Sequence, residues 1–156
     1  MARRSGFRRV VLGLDGSANS RRAARFLARL RPPRGARVVC VRVVEPVRVP
    51  ATPPLIPAAM REQIAGQARA MEREQLNRAR RQVEAIAARL SRAGWRARGV
   101  ARSGIPLPEL LAEARRTGAD AVVVGARGAG AVKHFLLGSV AEGLLKHGPF
   151  DVLVVK

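Results

Sequence analysis

Two pairs of small residues near the carboxyl end of the chain have a spacing that suits anion binding. Gly125 and Gly128 enclose two residues, and Gly138 and Ser139 follow after nine more. Because glycine has no Cβ, backbone N–H groups there can approach a phosphate closely, and the first turn of a helix offers further free N–H groups. Ser139 is predicted to cap that helix and to direct its hydroxyl at the phosphate. The pattern predicts a phosphate-binding loop; the alternative is a loop whose glycines serve only tight turns.

The residues around this loop indicate which elements hold it. An apolar run, 121–124, leads into Gly125 and predicts a buried strand, while residues 139–146 suit a helix. A second candidate, Asp15, ends an apolar first strand, which is where open α/β sheets place ligand contacts. Asp15 followed by Gly16 is equally typical of a simple turn.

The rest of the chain alternates apolar segments with amphipathic ones, which is typical of a parallel α/β sheet with right-handed crossovers. We expect strands at 9–14, 36–44, 95–100, 121–124 and 151–155, and helices from Ser17, Asn19 or Ser20 to about 30, and at 58–92, 106–116 and 139–146. On the longest helix the predicted buried stripe is Ile64, Met71, Leu76, Val83, Ile86 and Leu90. Gly66 is expected to bend or interrupt that helix. A proline-rich loop at 45–57 precedes it.

The composition is dominated by arginine. All but three of the 30 basic residues are arginine, and the formal charge is +19 at pH 7. Such a charge favours polyanion binding, and a basic nucleic-acid-binding protein stays open as an alternative. However, the arginines are scattered, aromatic residues are only 3%, and no tyrosine is available to stack on bases. We therefore expect polyanion binding to be non-specific.

Four stretches together resemble the universal stress protein family: residues 11–17, 42–44, 119–125 and 138–142. The resemblance implies a single-domain α/β fold: an open five-stranded parallel sheet, order 3-2-1-4-5, with helices on both faces, Rossmann-like and similar to adenine nucleotide alpha hydrolases. A basic tail would occupy 1–7 and the domain 8–156. In that order strands 1 and 4 are neighbours, so Asp15 and the glycine loop would meet at the switch point of the sheet.

The resemblance also implies ATP, or another adenine nucleotide, as the ligand. By this resemblance, the adenine would lie by Gly13, Asp15 and Val43, the ribose near Gly125 and Arg127, and the phosphates on Gly128, Gly138, Ser139 and Val140. Two departures from the family pattern are Ala126, where many members carry a hydroxyl, and Asp151, where a small residue or proline is common.

The predicted function is that of a nucleotide-dependent sensor or regulator of a stress response. Arg127, Lys133 and His134 can supply charge, but no second acid besides Asp15 stands near the loop to orient water, so we expect binding without efficient turnover. No residue is predicted to be catalytic, and none forms a metal cage; any Mg²⁺ would accompany the phosphates near Asp15. A slow ATPase or phosphotransferase using the same site is the alternative.

Assembly and cell compartment follow from weaker signals. No apolar run suits a membrane span and no signal peptide precedes the first strand, so we expect a cytoplasmic protein. The resemblance implies a homodimer formed through the last strand, 151–156. Cys40 lies in an apolar run and is expected to be a buried hydrophobic residue rather than a nucleophile.

Overall fold

Strands and helices alternate along the chain in the computed structural model, which describes residues 6–48, 56–128 and 137–156. The elements are β1 (Arg9–Leu14), α1 (Ala18–Arg29), β2 (Arg37–Val44), α2 (Ala58–Arg92), β3 (Arg96–Ser103), α3 (Pro106–Thr117), β4 (Ala121–Gly125), α4 (Ser139–His147) and β5 (Asp151–Val155). The strands form one parallel sheet in the order β3-β2-β1-β4-β5. This confirms the predicted fold class.

Both faces of β1 are buried after Arg9, which explains why the strand is apolar from Val10 onward. Val10 and Leu12 point to the face covered by α1 and α2, where Leu27 and Val83 meet them. Val11 points to the opposite core, which includes α3 and α4. Helices therefore lie on both faces, as expected.

The amino end of α1 is fixed by one of the three predicted caps. Ser17 is the cap residue, and its Oγ accepts a hydrogen bond from the N–H of Ser20 at 3.1 Å. The cap places the first turn of α1 beside the end of β1, which is the edge of the sheet where the candidate site lies.

Helix α2 runs without interruption from Ala58 to Arg92, so the predicted interruption at Gly66 is wrong, while the alternative of a bend there stays a prediction. A Cβ at Gly66 would meet nothing within 4 Å, so this glycine does not serve packing. The buried residues of α2 are Ala79, Val83, Ala87 and Leu90. The predicted stripe fails most clearly at Met71, which is 54% exposed. The reason is the face of the helix: at 3.6 residues per turn, Met71 lies about 120° away from Val83. Its neighbour Glu72 does reach the sheet, where it accepts a hydrogen bond from Oγ of Ser103 at 2.6 Å.

Strand β3 extends to Ser103, beyond its predicted end at Val100. Its sequence is rich in arginine and therefore lacks the apolar run that predicts a buried strand. Gly99 explains how α2 packs on it, since a Cβ there would lie 2.8 Å from the backbone of Val83 and Glu84. The glycine lets helix and strand approach closely.

Two of the predicted segments lie largely outside the described residues. The basic tail 1–7 is described only from Gly6, and the proline-rich loop 45–57 is described only at 45–48 and 56–57. Both assignments stay predictions. Among the helices of the described residues, none combines the length and the apolar character that a membrane span requires.

Candidate functional site

A cleft of about 650 Å³ opens where β1 and β4 end side by side. It lies at the point where the chain leaves neighbouring strands in opposite directions, the usual ligand position in such sheets. All nine sequence-predicted site residues line it: Gly13, Asp15, Val43, Gly125, Arg127, Gly128, Gly138, Ser139 and Val140. The structure thus brings the two predicted motifs together; their role in binding stays a prediction.

The floor of the cleft needs a glycine at position 13. A Cβ on Gly13 would lie 2.9 Å from Cγ1 of Val124 and 3.2 Å from Cδ1 of Leu110. Beyond it the chain turns sharply at Gly16, which has φ +82°. Within this turn the N–H of Ser17 donates to Oδ1 of Asp15 at 2.9 Å, so one carboxylate oxygen of Asp15 is fixed by the backbone.

The loop after β4 is held at both of its described ends. The N–H of Ala126 donates to the carbonyl oxygen of Val155 at 2.8 Å, and the N–H of Gly138 donates to the carbonyl oxygen of Ala126, also at 2.8 Å. Ala126 itself is buried. The loop therefore leaves β4 and returns to the same point, so Gly128 and Gly138 lie close together in the cleft.

A third attachment joins the loop to α1. The carbonyl oxygen of Arg127 accepts hydrogen bonds from Oγ of Ser17 and Nδ2 of Asn19, each at 3.3 Å. Gly125 permits this approach, because a Cβ there would lie 2.7 Å from the backbone carbon of Asn19. The close packing of α1 on the end of β4 therefore requires a glycine at position 125.

The cap residue of helix α4 lies one residue before Ser139, the residue predicted to cap it. Gly138, with φ −76° and ψ 154°, is the cap residue, and Ser139 is the first helical residue. No side chain caps this helix. The predicted capping role of Ser139 is therefore wrong, and the hydroxyl stands at the first turn of α4 instead. That turn borders the cleft, so its N–H groups and positive dipole end suit an anion.

Charged side chains from other elements also line the cleft. Sequence reasoning did not assign Arg42, Glu45, Gln75 or Arg78 to it. Arg42 precedes Val43, and Glu45 directly follows the carboxyl end of β2, and this position alone could have identified them. Gln75 and Arg78 come from α2, whose placement over the cleft no local pattern predicts.

Lys133 and His134, which were predicted to supply charge to the site, lie outside the described residues. Within the described ranges no group of three or more histidine, cysteine, aspartate or glutamate side chains could hold a metal ion. The chemistry available in the described cleft is therefore that of backbone N–H groups, arginines, serine hydroxyls, the amide of Gln75 and two carboxylates, Asp15 and Glu45.

Solved structures share this architecture. Protein MJ0577 of Methanocaldococcus jannaschii superposes with a TM-score of 0.80 at 21% identity, covering 96% of this chain and 95% of that one. A universal stress protein in complex with cAMP gives 0.58 at 24% identity and covers 97% and 98%. A family protein from Arabidopsis thaliana with AMP bound gives 0.57 at 16% identity and covers 95% and 90%. At these identities the likeness shows the fold.

Sequence comparison extends over the whole chain. Two relatives from Staphylococcus epidermidis are 49% identical over 50 residues, but that match spans only 29% of their length. A universal stress protein of Thermus aquaticus is 31% identical, covering 96% of this chain and 99% of the relative. The sequence model of the universal stress protein family matches residues 6–156. The chain therefore belongs to the universal stress protein family.

Proposed function

We propose that this protein binds ATP, or another adenine nucleotide, in the cleft and acts in the cytoplasm as a nucleotide-dependent regulator of a stress response. The observation that carries the proposal is the convergence of Asp15 and the glycine loop, which are more than 100 residues apart in the chain, on one cleft. The nucleotide complexes of two family structures support it further.

The phosphate end of the proposed site is the loop and the start of α4. Here Gly128, Gly138 and Ser139 border the cleft together, next to the positive end of the helix dipole. A Cβ at Gly138 would lie 3.5 Å from the backbone nitrogen of Gly128, so a side chain there would stand beside a proposed phosphate donor. Arg127 and Val140 complete this end.

The adenosine end of the proposed site lies over the ends of β1 and β2. Gly13 gives an open floor, Val43 an apolar wall, and Asp15 and Gly125 polar backbone and side-chain groups. Adenine needs an apolar slot with a few polar groups, and ribose needs a hydroxyl acceptor, so this mixture suits a nucleoside. Any Mg²⁺ would enter with the phosphates and approach Asp15.

The decisive experiment is calorimetry of ATP, ADP, AMP and cAMP with Gly138→Val and a matched glycine control. We expect Gly138→Val to fold normally, since its Cβ has ordinary 3.4 Å contacts, and to lose ATP binding. Gly66→Val is the control, because it adds the same side chain on α2 away from the cleft, and it should bind like the natural sequence. Equal ATP affinity in folded Gly138→Val would refute the site.

Slow hydrolysis is the second candidate, and Glu45 is the observation that favours it. The sequence offered only Asp15 as an acid near the loop, but Glu45 also lines the cleft. A second carboxylate could orient water, although no described histidine lines the cleft as a base. Phosphate release at or above about 1 s⁻¹, lost in Glu45→Gln with ATP affinity intact, would establish the enzyme. Undetectable phosphate release would favour the proposed regulator over the enzyme.

We also propose that two copies assemble through β5. This strand pairs only with β4 among the described strands and forms one edge of the sheet. An edge strand of apolar residues is a surface on which a second copy can pair.

A further inference from the structure

A second cleft, of about 600 Å³, lies at the opposite end of the sheet from the nucleotide site, where β1, β2 and β3 begin. Its arginines are Arg9, Arg37, Arg96, Arg98 and Arg116, and we name it the arginine cleft. No acidic residue is among its described lining. Five guanidinium groups around one depression make a strongly positive surface.

The strand register places three of these arginines side by side. Arg9 pairs with Arg37 across β1 and β2, and Arg37 pairs with Arg96 across β2 and β3. Neighbouring strands are about 4.8 Å apart, and like charges directly opposite each other destabilise a sheet. Arg37 and Arg96 are exposed, and no ion pair joins either to another described residue. The repulsion between Arg37 and Arg96 therefore lowers the stability of the folded chain unless an anion neutralises it.

Three of the five arginines, one of them Arg9 of the row, are held by carboxylates that do not line the cleft. Arg9 bonds Asp120 at 2.8 Å. Arg98 bonds Glu113 at 2.8 Å, and Arg116 bonds the same carboxylate. Glu113 is only 2% exposed, so it fixes guanidinium groups whose side chains stay about half exposed. These contacts orient the arginines without removing the surplus of positive charge.

The chemistry of this surface suits phosphate groups. A guanidinium presents parallel N–H donors that match two oxygens of a phosphate, and a row of them suits a row of phosphates. The hydroxyl of Ser91 adds a neutral donor. That of Thr117 already donates to the backbone carbonyl oxygen of Glu113 at 2.8 Å. No aromatic side chain lines the described cleft, so it lacks the rings on which single-stranded nucleic acids stack their bases.

We propose that the arginine cleft binds a short chain of closely spaced phosphates, of the linear polyphosphate type, independently of the nucleotide cleft. The row Arg9, Arg37 and Arg96 would contact successive phosphates, and the arginines held by Glu113 would contact the chain from the side of α3. Binding would remove the repulsion along the row and so would stabilise the folded chain.

The test measures tripolyphosphate binding by calorimetry, and by the rise in melting temperature, at several salt concentrations. The variant is Arg37→Gln/Arg96→Gln, which touches no ion pair among the described residues. It should weaken binding at least about tenfold and reduce the slope of log K against log salt by about 1 for each arginine removed. Without ligand, its melting temperature at low salt should equal or exceed that of the natural sequence.

Two controls separate this site from general charge and from the nucleotide cleft. Arg25→Gln/Arg81→Gln removes the same charge from exposed helix positions outside both clefts and should leave binding unchanged. Gly138→Val should also keep tripolyphosphate binding, whatever it does to ATP. Equal weakening by both arginine pairs would overturn the proposal. Tighter binding of an oligothymidylate than of a polyphosphate of equal charge would overturn the ligand class.

Discussion

Asp15 and Gly128 touch across the switch point of the sheet: a Cβ on Gly128 would lie 2.9 Å from Oδ2 of Asp15. The first residue follows β1 and the second belongs to the loop after β4. Since the N–H of Ser17 already fixes the other oxygen of Asp15, this carboxylate joins two segments that form the cleft. The contact leaves room for glycine alone.

Gly128→Ala should therefore act on the ligand through Asp15. The new methyl group meets the end of a side chain, which can move, so we expect a small loss of stability and a loss of ATP affinity of about tenfold, or ~1.4 kcal/mol. In the Asp15→Ala background the same substitution should lower ATP affinity much less, because the carboxylate that it displaces is absent there. Calorimetry of the four proteins measures this; strictly additive losses would contradict the coupling.

Alanine substitutions at two glycines of the same motif should differ in their effect on stability. Gly125→Ala places a Cβ 2.7 Å from the backbone of Asn19, which cannot move easily, so unfolding free energy should fall by about 1–3 kcal/mol. Gly138→Ala meets its neighbours at 3.4 Å and should stay within about 0.5 kcal/mol of the natural sequence. Urea denaturation checks both; an equal loss in the two variants would contradict this assignment.

Glu113 should make stability depend on pH in the acid range. Burial raises the pKa of Glu113, but hydrogen bonds from Arg116, Arg102 and Arg98 outweigh burial and hold the pKa below its usual value. Stability from this carboxylate is fully present above about pH 4.3, the unfolded value, and is lost as the pH falls through the lower folded value.

Glu113→Gln should thus lower the unfolding free energy at pH 7 by about 1–3 kcal/mol. Below about pH 4.3 the difference from the natural sequence should shrink, because protonation removes the same interactions. Urea titrations from pH 7 to pH 3 measure it. A difference that stayed constant over this range would show that the arginines do not depend on the charge of Glu113.

Cys40 should be inert while the chain is folded. The side chain is fully buried in β2, and burial raises the pKa of its thiol to about 12, so almost no thiolate exists at neutral pH. Labelling by a thiol reagent at pH 8 should follow global unfolding and become rapid only in denaturant. Fast stoichiometric labelling of the native protein would contradict this.

Val154→Pro should block the proposed dimer with little damage to the monomer. The carbonyl of Val155 and the N–H of Asp151 bond towards β4, so by strand alternation the N–H of Val154 points to the free edge. Proline there removes a donor that only a partner strand would use. We expect a monomer by analytical ultracentrifugation, with Val154→Thr as the dimeric control. Dimers of unchanged stability in Val154→Pro would exclude this edge.

Much of the fold could be predicted because its signals are local. The apolar run 121–124 and the cap at Ser17 each specify an element from within a few residues. Strand order then brought Asp15 and the glycine loop into one cleft, which the family resemblance implied before the structure placed them.

The errors arose where distant contacts decide the outcome. Met71 is apolar, but it lies on a different face of α2 from Val83 and is exposed, and only the contacts of α2 with the sheet decide which face is buried. Ser139 has the right chemistry for a cap, but the extended backbone of Gly138 takes that position. Gln75 and Arg78 join the cleft only because α2 crosses the ends of the strands. No local sequence pattern predicts these contacts.

The length of α2 has a consequence for local unfolding of the protein. Its buried residues lie only between Ala79 and Leu90, while Met60 and Met71 are more than half exposed. A helix secured along one third of its length frays from the unsecured end. Backbone amides before about residue 75 should therefore exchange with deuterium through local fluctuations, whereas those from Val83 onward should wait for unfolding of the whole domain. Because Gln75 and Arg78 stand at this boundary and also line the cleft, a bound ligand would move the boundary towards the amino end of α2.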